Sequence, residues 1–155
     1  MKKLVGTLLT LSMAGVFAVS AFAANTTGGS TTVSTDIAPA YTVTIPEKLQ
    51  IPYNSTEAET LMLTASGLLL ENGKTVTVTA AGSGPDGMFS MANGSNTLTY
   101  ELSKEASPWS AVAKDSELAS FPENGTRTIY AKVPDWSVTA AGKYSGTITF
   151  TVSYQ

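Results

Sequence analysis

Hydrophobic and hydroxyl side chains alternate without a break across residues 147–154. Ile148, Phe150, Val152 and Tyr154 fall on one side, and Thr147, Thr149, Thr151 and Ser153 on the other. A period of two with one polar side predicts an antiparallel strand half-buried on a core. The turn Ala141-Gly142-Lys143-Tyr144-Ser145-Gly146 feeds this strand. Phe150 is expected in the core, flanked by Ile148 and Val152, with Thr149 facing water. Shorter stretches of strand-forming residues lie at 41–45, 61–65, 76–80, 88–91, 98–102 and 128–133. Turn sequences separate them: Glu71-Asn72-Gly73-Lys74, Gly82-Ser83-Gly84-Pro85-Asp86-Gly87, Asn93-Gly94-Ser95-Asn96 and Glu123-Asn124-Gly125. Each contains glycine with Asn or Asp, the residues that accept the backbone angles of tight turns.

Seven or eight short strands with such punctuation predict an all-β fold: a single antiparallel β-sandwich with an immunoglobulin-like layout. The strand–helix alternation of a parallel sheet is absent from the pattern. Residues 103–123 are the least readable stretch. Pro108 and Pro122 break it into pieces that fit a helical turn near Ala111 or two short strands.

The N-terminus has a different character. Met1-Lys2-Lys3 is a short positive region, residues 4–19 are apolar with small polar interruptions, and Ala21-Phe22-Ala23 fits the small-x-small rule. That pattern predicts a signal peptide over 1–23 with cleavage before Ala24. The apolar run is short for a membrane span and has no positive flank behind it. A Thr-, Ser- and Gly-rich arm over 24–38 follows, flexible at Gly28-Gly29, and then the sandwich over 39–155. The chain has no Cys, which closes the lipoprotein route and any disulfide staple. Loss of Lys2 and Lys3 takes the net charge from −3 to −5, and Arg127 is the one arginine. Nucleic-acid binding needs clustered positive charge, so that class is set aside.

Without His or Cys, neither Ser-His-Asp nor Cys-His catalysis can be assembled, nor the usual zinc sites. The carboxylates, such as Glu101 and Glu105 or Asp115 and Glu117, read as solvated surface charge. Asp86, between Pro85 and Gly87, reads as a turn residue. No catalytic residue, metal site or cofactor is expected. The candidate contacts are Trp109 in Ser107-Pro108-Trp109-Ser110 and Trp136 in Pro134-Asp135-Trp136-Ser137. An exposed indole stacks on a sugar ring or anchors a protein partner. The competing and favoured reading makes each a plug over an open end of the sandwich. Tyr144 fits a tyrosine corner, its hydroxyl bonded to nearby backbone. Asn-x-Ser/Thr triplets at Asn25, Asn54, Asn93 and Asn124 read as turn residues, without glycans.

The segment Ala141-Gly142-Lys143-Tyr144-Ser145-Gly146 with its Thr-rich strand resembles the closing strand of bacterial WxL domains. Phe150-Thr151-Val152 stands where those domains carry the signature Trp and Leu. The chain also resembles pilin-like and spore-coat-like sandwiches, which pair a secretion signal with Thr-rich strands and a terminal Gly-x-Tyr strand. The resemblance implies a secreted, non-enzymatic subunit at the bacterial surface or in the extracellular matrix, structural or adhesive. A cell-wall or surface protein or polysaccharide is the expected partner, and no membrane anchor is expected after cleavage. The alternative is a carbohydrate-binding module using Trp109 and Trp136. The fates that stay open for the arm, where Val33 and Ile37 share a face, are addition to the sheet of a neighbouring copy, disorder up to Thr35, or pairing within its own domain as the first edge strand. The C-terminal strand is expected to complete its sheet and leave no vacant groove.

Overall fold

The computed structural model describes residues 32–137 and 140–155. The expected signal peptide, the first part of the arm and Asn25 lie outside the described residues. Nine strands are described: β1 (Ala40–Thr44), β2 (Glu59–Leu69), β3 (Val76–Gly82), β4 (Ser90–Asn93), β5 (Asn96–Thr99), β6 (Glu101–Ser103), β7 (Glu117–Phe121), β8 (Gly125–Lys132) and β9 (Ile148–Tyr154). A single 3₁₀ turn, Pro85–Gly87, is the only helical element among the described residues. The chain is all-β.

One sheet has the order β1-β2-β8-β6 and the other β7-β3-β9, with β4-β5 a separate hairpin. All pairings are antiparallel. The two sheets close on Leu61, Leu63 and Ala65 of β2, Ile129 and Ala131 of β8, Val76 and Val78 of β3, and Leu118 and Phe121 of β7. Every one of these is buried. A constant-type immunoglobulin domain carries strands A, B, E and D on one sheet and C, F and G on the other. Here β1, β2, β8 and β6 stand as A, B, E and D, and β3 and β9 as C and F. Strand β7 lies on the far side of β3. The G position beside β9 is unfilled among the described residues.

Local chemistry accounts for the turns. The β2–β3 connection closes with the Lys74 amide donating to the Glu71 carbonyl at 3.0 Å, and Gly73 takes φ +77°. Gly94 takes φ +59° in the β4–β5 hairpin, whose pairing ends at Asn93 with Asn96. Both angles favour residues without a Cβ.

Two expectations need correction, at 98–102 and at Phe150, and the open alternative at 103–123 resolves toward strand. The stretch 98–102 is two strands rather than one. β5 pairs with β4, the Tyr100 amide donates to the Phe89 carbonyl at 3.1 Å, and β6 then joins β8. The alternation runs on through Tyr100 while the chain changes sheets. Residues 103–123 hold the strand β7 and an isolated bridge between Ser103 and Ala111, with no helical turn near Ala111. Phe150, Ile148 and Val152 do face inward, but they are half-buried. The cause is the unfilled position beside them.

Candidate functional site: an open sheet edge

Burial falls off sharply across the β3–β9 pair. Val76, Val78 and Ala80 are buried, whereas their direct cross-strand partners Tyr154, Val152 and Phe150 are only half-buried. Among the described residues β3 has a neighbour on each side, and β9 has one. The other sheet repeats the gradient: Ala65 of β2 is buried, while its partner Val43 on β1 is half-buried. Both half-covered strands border the same flank. Ile45, Leu49 and Ile51, in the segment after β1, are likewise only partly covered. Among the described residues a vacant groove therefore lies at the edge of β9, contrary to the expectation that β9 completes its sheet.

The groove widens into a cleft of about 770 Å³ walled by Leu49, Ile51, Leu61, Tyr100, Ile148 and Phe150. Lys48 and Lys143 stand at its rim and are exposed. Burial pushes the pKa of the Tyr100 hydroxyl up to about 12, because the phenolate would lose its hydration. The approach to β9 is fixed to the β4–β5 hairpin. Ala92 and Ser145 exchange backbone hydrogen bonds of 2.9 and 3.1 Å, and the Thr147 amide donates to Ser83 Oγ at 3.0 Å. A side chain at Gly146 would run into the Ser90 carbonyl oxygen. The Tyr144 hydroxyl donates to the Ala140 carbonyl at 3.0 Å. That bond is a tyrosine corner holding the start of the last strand.

Neither tryptophan lines the groove. Trp136 Nε1 donates to the Ser55 carbonyl at 3.2 Å, and its ring meets the Tyr53 ring edge-on at 5.3 Å. The indole packs against the core. Trp109 Nε1 donates to Glu101 Oε2 at 2.7 Å, with the Lys132 ammonium 4.0 Å from the ring centroid. Glu117 pairs with Lys104 at 3.3 Å, both exposed. Asp86 takes φ +53° in its turn and its carbonyl accepts from Lys114 Nζ. Asn54 takes φ +61°, the Asn93 side-chain Nδ2 donates to the Ala141 carbonyl, and the Asn124 side chain accepts from the Leu68 amide. Among the described residues no group of three His, Cys, Asp or Glu could hold a metal ion, and no helix is long and apolar enough to cross a membrane.

An immunoglobulin-like sandwich with an unfilled edge strand position has the architecture of a pilin-like subunit, in which a neighbour supplies the missing strand. Residues 46–151, more than half of the chain, match the family model of the Spore Coat Protein U domain, and the chain belongs to that family. It is a family of structural, pilin-like surface subunits that assemble into fimbriae. The match supports the spore-coat likeness of the closing strand and not the WxL likeness, in keeping with Phe150-Thr151-Val152 replacing the signature Trp and Leu. No curated protein matches the chain.

Proposed function

We propose that this chain is a non-catalytic fimbrial subunit that polymerises by strand addition, the N-terminal arm of one copy filling the vacant position beside β9 of the next. One observation carries the reading. The chain has both an uncovered sheet edge and an uncovered strand-like segment to fill it. Residues 32–39 form no strand and are exposed along their whole length, with Val33 91% and Ile37 65% exposed. In an extended chain these two side chains share a face. Set beside β9, the arm would offer backbone hydrogen bonds to the unpaired edge and apolar side chains to the groove.

Export with cleavage before Ala24 frees this arm in the proposed scheme, and intact-mass measurement of the exported protein is expected to give a chain starting at Ala24. The test of polymerisation compares that protein with a version starting at Pro39, by size exclusion and by unboiled gel electrophoresis. Detergent-resistant multimers that vanish on truncation are expected. Two identical monomers would refute strand addition. Attachment to a wall polysaccharide or surface protein is a further part of the proposal. Carbohydrate binding by Trp109 and Trp136 takes second place, since both indole N–H groups already bond to the chain's own oxygens.

A further inference from the structure

The open flank is not open along its whole length. The cleft is walled by Ile148 and Phe150 of β9 and by residues 46–51, but not by Val152, Tyr154, Val43 or Tyr41. At that second end two rings meet across the gap. Tyr41 lies on β1 two residues before Val43 and so shares its inward side, and Tyr154 shares the inward side of β9 with Val152. Their rings stack with centroids 6.4 Å apart and planes 18° from parallel. The strands they belong to lie in different sheets and share no backbone ladder. Tyr154 is held in place by the Glu71 amide, which donates to its hydroxyl at 3.1 Å. The neighbouring Gln155 and Thr75 exchange backbone hydrogen bonds of 2.9 and 3.0 Å. Tyr41 has no such support: it is 38% exposed and sits where the β1–β2 register shifts between Ala40 and Thr42.

We infer that the Tyr41–Tyr154 stack is a clasp, which holds the unfilled edge shut where β1 begins and must part before an added strand can pair with the full length of β9. The inference rests on the strand-addition reading above. Tyr154 is the fixed half and Tyr41 the moving half, because Tyr154 alone is tied to the β2–β3 turn. Its consequence is kinetic. A subunit awaiting a neighbour keeps the last turn of its apolar edge covered, and assembly is slowed by the need to separate the rings.

The test uses the full mature chain and the variants Tyr41→Ala, which removes the clasp, and Tyr41→Phe, which keeps the ring. Assembly at fixed concentration is followed by light scattering and unboiled gels, and hydrogen exchange at 152–155 is followed in the monomer. A stacked aromatic pair is worth enough that its loss should speed assembly roughly three- to tenfold. Tyr41→Ala is expected to show that gain, with faster exchange at 152–155 and unchanged protection in β2 and β8, while Tyr41→Phe behaves as wild type. Protection in β2 and β8 separates clasp opening from general unfolding. Equal assembly rates for all three chains overturn the clasp and leave strand addition standing. If none of the three assembles, strand addition itself fails and the clasp falls with it.

Discussion

Truncating Phe150 to Ala tests the half-filled edge energetically. A fully buried Phe→Ala change costs about 3–5 kcal/mol, the sum of lost transfer energy and a residual cavity. Phe150 packs on the core through its β3 side, opposite Ala80, and opens on the cleft on the other. Because part of the ring is already in contact with water, the monomer should lose about 2–3 kcal/mol, short of the fully buried cost. In the assembled form an added strand covers the remaining surface, and the cost should rise toward the full value. Urea melts of the subunit starting at Pro39 give the monomer figure, and melts of intact multimers give the second. Thr149→Ala, on the exposed side of β9, should cost no more than about 0.5 kcal/mol in either state. Leu63→Ala, at a fully buried core position, should cost about 2–5 kcal/mol in both. A monomer cost for Phe150→Ala that already reaches the full value of about 3–5 kcal/mol, with no rise in the multimer, would mean that the edge is closed. A cost as small as that of Thr149→Ala would mean that β9 is in the wrong register.

Two further outcomes follow from the groove. Tyr100 has a folded-state pKa raised to about 12 by burial. The stability tied to its neutral form is therefore complete below pH about 10 and lost as pH climbs through about 12, on the order of 2–3 kcal/mol in all. Tyr100→Phe should flatten this alkaline limb in melts taken between those values, and an unchanged limb would contradict the assignment. Gly146→Ala should cost about 1–3 kcal/mol in a denaturant melt, because the new methyl meets the Ser90 carbonyl oxygen rather than a side chain able to turn away; a neutral result would mean that the hairpin does not lie against the start of β9.

The strands were legible wherever one face is covered and the other wet. β9 is the plainest case, since its alternating Ile, Phe, Val and Tyr against Thr and Ser match the inward and outward faces found. The glycine turns were legible for the same local reason, backbone angles that other residues resist. The change of sheet at Tyr100 was not, because alternation reports which face a side chain takes and says nothing about which strand lies alongside. Strand β7 was hidden for a different reason. Leu118, Ala119 and Phe121 are all buried, so no clean period of two survives there. The open edge was invisible on the same logic as Tyr100. The side chains of β9 look alike in sequence whether or not a strand lies beyond it, and the burial gradient across β3 and β9, with the strand order, reveals the vacancy. Trp109 and Trp136 drew notice as loop aromatics beside proline, yet the groove is built from Leu49, Ile51, Ile148 and Phe150, which carry no chemical signature.

The most direct measurement is residue-resolved hydrogen exchange on the mature protein before and after assembly, with amides read out once the quenched multimers are dissociated. In a strand paired on one side only, alternate amides point away from the neighbour. The expected result is that the β9 amides facing away from β3 exchange freely in the monomer and become protected in the multimer, together with amides between Val33 and Ile37. Multimers in which β9 and the arm exchange as they do in the monomer would contradict strand addition at this edge.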